Sequence, residues 1–436
     1  MKMLETIKQK YQQLQSNNGS SVLTPIEQNA FKAFDSMGLP TVRNEEWKYT
    51  RISSVFNKEY AFNTESIVSN FTSKDLEAVR LPGHEEANEL FFINGIYSTA
   101  YSTVRSGALV IQSLEEASQN NFKDIVRQNL GHSSKYIQDG IHALNTAFLQ
   151  EGVFIHVKKG QVVEQPIYIY QIIDARSVNI LSQPRLLIHV AENAQVEFVE
   201  TYVTLGLSES FTNEVTEVVV EKDAIVEYYK IQNDAAHSNQ VNTTHFRQVG
   251  KSVVHTVAIS LNGGIVRNNL NIVMEAEHSE ADLHGLYFLR GHTHVDNHTI
   301  VDNVKPHSLS NELYKGIIDD NATAVFNGKI FVQKDAQKTN AFQSNKNILL
   351  SENATVNTKP QLEIFADDVK CSHGCTIGQL DDEAMFYLRS RGISEKAAES
   401  LLVHAFAIDV LNHIKSEPIR NYVDQLITDR LDVEFV

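Results

Sequence analysis

Cysteine and long apolar runs are scarce in this sequence of 436 residues. Its only two cysteines, Cys371 and Cys375, lie four positions apart and cannot build a disulfide framework, which favours a reducing compartment. No run of about 18 apolar residues is present, so no membrane-spanning helix is expected. The first residues, MKMLETIKQKYQQLQS, contain no apolar segment typical of a signal peptide. We therefore expect a cytoplasmic protein.

Positive charge is scarce too. The chain has 38 Lys and Arg residues against 54 Asp and Glu residues, which gives a formal net charge of −16. This balance argues against nucleic acid or an anionic membrane as the main partner, and it favours a protein partner or a metal. Apolar residues make up 42% of the chain and charged residues 21%, which indicates folded cores rather than disorder.

The apolar pattern predicts three zones. They are an N-terminal helical and mixed domain (residues 1–135), a β core (136–379) and a C-terminal helical domain (380–436). In the middle zone, short alternating runs such as VFIHV, LLIHV and IVEYY replace helical spacing. The predicted fold class is therefore mainly β, with helices at both ends.

A small turn recurs through the middle zone, in which a polar pair is followed by Gly, Ala or Ser. It begins at residues 158, 192, 222, 250, 277, 320 and 352, so the intervals run from 27 to 43 residues. A loose repeat of this length in an all-β region predicts a solenoid, in which each coil buries its apolar face against the next. A large β-sandwich or barrel with similar turns is the alternative.

Two consecutive helices are expected after the β core. QLDDEAMFYLRSRG is typical of a capped helix that begins at Asp381 or Asp382 and stops at Gly392. Ser394 is placed to cap the next helix, whose apolar stripe we expect to pack on the β core or on a partner. The stripe consists of Ala398, Leu401, Leu402, Ala405, Ile408 and Leu411 or Asn412.

The stretch KCSHGCTIG holds both cysteines, with His373 between them. If it continues the preceding strand-like segment, Cys371, His373 and Cys375 share one face, because side chains alternate with period two. Thiolate and imidazole suit zinc, copper or iron–sulfur clusters. Three ligands on one strand cannot surround an ion, so further ligands must come from elsewhere. The alternative is that the cysteines are buried structural residues and His373 is hydrogen-bonded.

A second cluster lies in GHTHVDNHTIVDNVKPH, which contains His292, His294 and His298. A His-x-His pair on a strand suits a metal, so a metal-dependent enzyme built on a β-solenoid is the alternative function. A polar ladder or an interface is the other interpretation of these histidines. The only GKS, at residues 250–252, has His245 where a phosphate-binding loop needs glycine, so nucleotide hydrolysis is not expected of this chain.

Several phrases together resemble the SufB/SufD family of iron–sulfur cluster assembly proteins, and the SufD branch more than the SufB branch. They are DDVKCSHGCTIGQLDDEAMFYLRSRGI (residues 367–393), the phrases ELYKG, AVFNGKI, AQKTNA and KPQLEI upstream of it, and LPTVRNEEWKYT (residues 39–50). The resemblance implies a right-handed parallel β-helix between helical terminal domains. It also implies a non-catalytic scaffold subunit.

In such a complex, the resemblance implies, the chain pairs with SufB through the β-helices, and its C-terminal helical domain docks the ATPase SufC. A transient iron–sulfur cluster then forms at the SufB–SufD interface, with His373 as a candidate ligand and Cys371 beside it. Cys375 stands where the family usually has a small residue. The helix that we expect to contact SufC carries Met385, Phe386, Tyr387, Arg389 and Arg391.

The expected cofactors follow from the same resemblance. The cluster would be shared with SufB, reduced flavin is a candidate member of the complex, and the isolated chain would hold no cofactor tightly. A homodimer of the chain alone is compatible with the solenoid prediction, because the ends and edges of a solenoid need covering.

Overall fold

The computed structural model describes residues 2–17, 22–62, 70–149 and 152–431. Nine α-helices lie within these ranges, together with short 3-10 helical turns at Glu45–Trp47, Ile52–Asn57 and His132–Lys135. The helices are α1 (Lys2–Asn17), α2 (Thr24–Met37), α3 (Ser73–Val79), α4 (Leu114–Gln119), α5 (Lys123–Asn129), α6 (Gly140–Thr146), α7 (Asp382–Ser390), α8 (Glu395–Leu411) and α9 (Glu417–Leu431).

The strands of the described ranges number twenty-two, and most are nine to eleven residues long from the ninth onward. They are β1 (Ala61–Phe62), β2 (Asn88–Ile93), β3 (Ile96–Tyr97), β4 (Leu109–Ser113), β5 (Val153–Val157), β6 (Ile167–Asp174), β7 (Ile180–Ser182), β8 (Arg185–Val190), β9 (Gln195–Leu205), β10 (Ser210–Val220), β11 (Ile225–Asn233), β12 (Ser238–Gln248), β13 (Val253–Asn262), β14 (Ile265–Met274), β15 (Glu280–Leu289), β16 (His294–Asn303), β17 (Leu309–Ile318), β18 (Thr323–Val332), β19 (Asn340–Leu349), β20 (Thr355–Thr358), β21 (Gln361–Ile364) and β22 (Lys370–Gly378).

Successive strands alternate between two sheets, which is the topology of a solenoid. The first sheet runs in the order β20-β18-β16-β14-β12-β10-β8-β5-β4, and the second in the order β22-β19-β17-β15-β13-β11-β9-β6-β2-β3. From β5 onward the pairing within each sheet is parallel. The prediction of a mainly β solenoid with helices at both ends is confirmed, and the molecule has about eight turns.

The recurring turn of the sequence reflects a structural repeat. The predicted series, however, combined turns that precede strands of the first sheet with turns that precede strands of the second. One coil measures 31 residues between the paired residues Leu309 and Asn340, and 30 between Asn340 and Lys370. The turns at 192, 222 and 277 all precede strands of the second sheet, whereas those at 320 and 352 precede strands of the first. The sequence series missed the turn at His307, whose backbone φ is 60°, and this omission produced the interval of 43 residues.

The sheets enclose an apolar interior and are covered on both outer faces. The interior joins inward side chains of both sheets, such as Phe198 and Ile272. The first sheet is covered by α1, α2 and α6 near Phe211, and by α4 and α5 near Leu187. The second sheet is covered by α8 and α9. The second half of β15, GLYFL, is buried on both faces, and its sequence is accordingly a continuous apolar run.

The domain boundaries at 135 and 379 stay predictions. Two N-terminal strands already belong to the sheets of the solenoid, since β2 pairs in parallel with β6 and β4 pairs antiparallel with β5. In the described part of the chain, no helix is long and apolar enough to cross a membrane.

The two predicted C-terminal helices are present with the expected caps. Asp381 accepts hydrogen bonds from the backbone of Glu383 and Ala384, Ser394 accepts one from Ala397, and Gly392 has the positive φ of a helix stop. The predicted stripe of α8, however, is wrong in part. Its buried residues are Ala398, Ser400, Val403, Ala407, Val410 and Leu411.

Leu401 and Ile408, two members of the predicted stripe, do not pack on the core, since they are 36% and 37% exposed. The reason is that α8 is apolar around most of its circumference, so the sequence offered two stripes at helical spacing. The face that carries Val403 and Ala407 packs on the second sheet. The face that carries Leu401 and Ile408 is exposed to solvent.

Candidate functional site

The stretch KCSHGCTIG forms β22, the last strand of the second sheet. It pairs in parallel with β19, and Cys371, His373 and Cys375 lie opposite Ala341, Gln343 and Asn345. No other described strand pairs with its second edge. Eight of its nine residues are exposed, and Cys371 is half-buried. The predicted strand and the shared face of the three side chains are therefore present.

The spacing of these three side chains prevents them from holding one ion alone. Residues two apart on a strand are separated by about 6.7 Å, whereas ligands of one zinc or iron ion lie within about 4 Å of one another. Among the described residues, they do not form a group of three ligand atoms close enough for one ion. Any metal at this strand would need ligands from another chain.

The two cysteines differ in their surroundings. Cys371 packs against the apolar interior, and this burial raises the pKa of its thiol. Cys375 is exposed and stands over Asn345. The Asn345 side-chain amide donates to the hydroxyl of Tyr287 at 2.8 Å. Cys371 is thus held as a neutral thiol, while the Cys375 thiol is open to solvent.

His373 ends a row of paired side chains that runs the length of the second sheet. The row changes from apolar to polar towards β22, and it consists of Ile167, Phe198, Tyr228, Thr256, Leu283, Glu312, Gln343 and His373. Gln343 donates to Glu312 at 2.7 Å, and Thr299 donates to the other carboxylate oxygen at 2.6 Å. Burial raises the pKa of Glu312 to about 7.

Helix α7 follows β22 directly and has no buried residue. Phe386 is 76% exposed and Tyr387 57% exposed, although both are large apolar side chains. The guanidinium of Arg391 lies 5.3 Å from the centroid of the Tyr387 ring, and Arg389 is 3.5 Å from Glu395. Met385 is half-buried. The helix therefore offers an exposed aromatic pair flanked by arginines.

Comparison with known proteins agrees with these features. The family model for the SUF system FeS cluster assembly SufBD core domain matches residues 172–406. The model for the SufBD protein N-terminal region matches residues 2–169. The chain belongs to the SufBD family. It is accordingly an iron–sulfur cluster assembly protein of that family and a homologue of SufD.

Individual SufBD relatives are similar over most of their length. A SufBD family iron–sulfur cluster assembly protein of Synechocystis is 31% identical, over 98% of this chain and 95% of its own. The SufD protein of Escherichia coli is 30% identical, over 94% of this chain and 93% of its own. The chloroplastic protein ABCI7 of Arabidopsis thaliana is 33% identical, over 61% of this chain and 58% of its own.

The histidines of the second sequence cluster are held apart by polar contacts in this SufBD chain. His294 lies 2.9 Å from the hydroxyl of Thr50, and Nε2 of His298 lies 2.9 Å from Asp296. His292 is exposed in the turn before β16. In the part of the chain that the structure describes, these three do not form a metal-ligand group. They give no support to the metal-dependent enzyme.

The N-terminal phrase LPTVRNEEWKYT packs on the outer face of the first sheet. The guanidinium of Arg267 lies 3.9 Å from the centroid of the Trp47 ring and donates to Asp296 at 3.0 Å. Glu46 pairs with Lys329 at 2.6 Å. This phrase therefore anchors the N-terminal segment to the solenoid, and it lies away from β22.

Sequence reasoning missed one group of chemically competent side chains, His255, His284 and His413. They are 29 and 129 residues apart, and no local phrase links them. The only available signal was the coil length, which places His255 and His284 on neighbouring strands, although the register pairs His255 with Asp282.

Proposed function

We propose that this SufBD chain is a non-catalytic scaffold subunit of an iron–sulfur cluster assembly complex in the cytoplasm. In this proposal the end of its solenoid at β22 pairs with SufB, and its C-terminal helices dock the ATPase SufC. The single observation that carries the proposal is the open end of the second sheet. There a nine-residue strand with a free edge presents Cys371, His373 and Cys375.

An unpaired parallel strand offers a row of backbone donors and acceptors to another chain. The backbone N–H of Lys370 donates to the carbonyl of Thr339, the residue just before β19, at 2.9 Å. Because successive residues of a strand direct their N–H groups to opposite sides, the N–H groups of residues 371, 373, 375 and 377 point to the free edge. Strand addition by SufB at this edge would bring its side chains beside His373.

Pairing would also supply the ligands that β22 lacks. The nascent cluster is the cargo of the complex, and thiolate or imidazole groups from both chains would hold it. His373 is the candidate ligand from this chain, with Cys371 beside it, and Cys375 is a third candidate. Reduced flavin in the complex stays a prediction, as does a homodimer of the chain alone through the same edge.

The proposed contact with SufC uses α7 and the exposed face of α8. Phe386 and Tyr387 on α7 are joined by Leu401 and Ile408 on α8 as exposed apolar side chains. Aromatic and arginine side chains are enriched at the centres of protein interfaces. Arg389 and Arg391 flank the aromatic pair. The energy for assembly would come from nucleotide hydrolysis by SufC.

The decisive experiment is co-expression of the chain with SufB and SufC partners, with His373→Ala compared to wild type. We expect an intact complex by size-exclusion chromatography and a loss of iron and labile sulfide after anaerobic purification. His292→Ala is the matched control, because His292 is also an exposed histidine but follows β15, which β17 and β19 separate from β22 in the second sheet. Full iron and sulfide in the His373→Ala complex would refute the role of His373. Failure of the wild-type chain to join the partners would refute the scaffold.

The docking surface is tested separately with Phe386→Ser. The variant should keep SufB and lose SufC, because truncation of an aromatic anchor costs more than about 1 kcal/mol of binding when it lies at the centre of an interface. Leu207→Ser is the control, since Leu207 is 92% exposed in the turn between β9 and β10. Retention of SufC by Phe386→Ser would place the contact elsewhere.

A further inference from the structure

Three histidines far apart in the sequence meet where the C-terminal helices cover the second sheet. His255 lies on β13, His284 on β15, and His413 in the turn between α8 and α9. One ring nitrogen of each lies within 4.8 Å of one in each of the other two. Within the described ranges, no other group of three His, Cys, Asp or Glu side chains is spaced closely enough to hold a metal ion.

The environment of His284 is unusual for a polar side chain. The residue is 5% exposed, and its Nδ1 atom is buried without a hydrogen-bond partner. Its ring stacks on that of His413, with centroids 3.5 Å apart and planes at 15°. Burial, together with the neighbouring histidines, lowers the pKa of His284 to about 3. A buried ring nitrogen without a hydrogen-bond partner is costly to desolvate unless it acquires one.

His255 is oriented by a carboxylate behind it. Its Nδ1 atom lies 2.5 Å from Glu227 of β11, so the N–H donates outward to Glu227 and Nε2 keeps its lone pair. This carboxylate–imidazole pairing is the arrangement that fixes the tautomer of metal-binding histidines. The same carboxylate forms an ion pair with Lys415, two residues after His413. The hydroxyl of Tyr229 accepts from the backbone N–H of Lys415 at 3.0 Å.

We propose that His255, His284 and His413 bind one divalent transition-metal ion of the class that prefers imidazole, with Zn²⁺ as the representative. Three neutral imidazoles with a fourth position left to water form a common zinc site. Tetrahedral zinc needs ligand nitrogens about 3.3 Å apart with their in-plane lone pairs directed at the ion, so the stacked rings of His284 and His413 must rotate out of their parallel arrangement. His413 is the ligand that can move, because it is half-buried and lies in a turn.

The ion would fasten the C-terminal helices to the solenoid. α8 already contacts the sheet through Lys315, whose ammonium donates to the carbonyl of Phe406 at 3.0 Å. A metal bridge from His413 to His255 and His284 would add a reversible attachment just beyond the C-terminal end of α8, beside the contacts that Lys415 makes with Glu227 and Tyr229. The site lies on the outer face of the second sheet, whereas β22 is at its end, so the ion is separate from any cluster.

The test uses the full chain with Cys371→Ser and Cys375→Ser, so that thiolates do not compete for the probe. The metal-free protein is titrated with Zn²⁺ by calorimetry, and Co²⁺ absorption reports the coordination. We expect one equivalent of Zn²⁺, an affinity lowered at least about 100-fold by His413→Ala, and one lowered about 10–100-fold by Glu227→Gln. His278→Ala is the control, because His278 stacks on His307 at 4.7 Å in an exposed pair outside the site.

A second readout separates binding from folding. Zn²⁺ should slow amide hydrogen exchange in residues 411–417 of the parent chain and leave it unchanged in His413→Ala. No Zn²⁺ uptake by the Cys-free chain would overturn the proposal, and so would equal affinity in His413→Ala and its parent. Zn²⁺ uptake only by the chain with both cysteines would assign the metal to β22 instead. None of these outcomes depends on SufB or SufC.

Discussion

The two ends of the solenoid are built differently. At the N-terminal end, the sheets stop in short antiparallel pairs, β2 with the two-residue β3 and β5 with the five-residue β4. Helices α4 and α5 cover the outer face beside them. At the C-terminal end, the second sheet stops in β22, which is nine residues long, parallel and exposed. The N-terminal end is closed by the chain itself, whereas the second edge of β22 is unpaired among the described strands.

The side chains inside the solenoid also differ between the two ends. In the row that ends at His373, Ile167 and Phe198 lie in the apolar interior near the N-terminal end, while Glu312 and Gln343 form a hydrogen-bonded pair near the C-terminal end. Short, antiparallel or covered edge strands prevent unwanted pairing. A long exposed edge above a polar interior is the opposite choice. This exposed edge lowers the stability of the C-terminal end, and pairing of β22 with a strand of another chain would explain it.

The largest expected effect lies at the closed end. Arg185 on β8 is 1% exposed, and its guanidinium pairs with the buried Glu217 of β10 at 2.5 Å, which holds the pKa of Glu217 at about 2. Arg185→Met should lower the free energy of unfolding by about 3–5 kcal/mol, because it leaves a buried carboxylate without its cation. Unfolding in urea measures the change.

The matched substitution at the open end is Lys338→Met. Lys338 pairs with Asp368 just before β22, and both side chains are more than half exposed. We expect a loss of less than about 1 kcal/mol, because solvent screens such pairs. Equal losses for Lys338→Met and Arg185→Met would contradict the contrast between a consolidated end and an open one.

The second prediction concerns pH. Burial raises the pKa of Glu312 to about 7, so the folded chain binds this proton more tightly than the unfolded chain. The wild type therefore keeps this stability below about pH 4.5 and loses it as the pH rises through 7. At pH 8 the Glu312→Gln variant should unfold at a higher temperature than wild type, and its free energy of unfolding should be larger by up to about 3 kcal/mol. This difference in the free energy of unfolding should shrink towards pH 5.

Glu280→Gln provides the control, since it removes the same charge from an exposed position at the start of β15. Its difference from wild type should not grow with pH. A pH-independent difference for Glu312→Gln would mean that Glu312 is ionised in the folded chain across this range. Gln343 can accept a hydrogen bond from the amide that Glu312→Gln introduces, because its Oε1 atom has no hydrogen-bond partner.

Much of this architecture was readable from the sequence, and the failures have physical causes. The solenoid followed from alternating runs and recurring turns. The phase of the repeat was predicted wrongly, because the turns before the two sheets use the same residues. The turn at His307 was missed because Pro306 stands where the pattern requires a polar residue. The predicted stripe of α8 was wrong in part, because tertiary packing decides which of the two apolar faces is buried, and periodicity does not.

The strand β22 and the histidine site also differ in how well the sequence predicted them. A local strand pattern was enough to place Cys371, His373 and Cys375 on one face. The histidine site was not predictable, because His413 meets His255 and His284 only after α8 has docked on the sheet. Local periodicity carries information about neighbours on one strand, and it carries none about how a distant helix sits on that strand.

A pair of substitutions in β22 with small expected effects on stability tests the open end most directly. In β22 the N–H of residue 375 points to the free edge, whereas that of residue 376 points to β19. Thr376→Pro should cost about 1–2 kcal/mol, because it removes a hydrogen bond of the ladder. Cys375→Pro should cost less, because proline is tolerated where a strand edge faces solvent.

The two variants should rank in the opposite order when a partner is present. Cys375→Pro removes a donor that strand addition by SufB would use, so the complex should be lost in co-expression although the isolated chain is folded. Cys375→Ser separates the backbone from the thiol and should pair normally. If Cys375→Pro assembles as well as Cys375→Ser, SufB does not add to this edge. The exposure of β22 would then need another cause than pairing through the backbone.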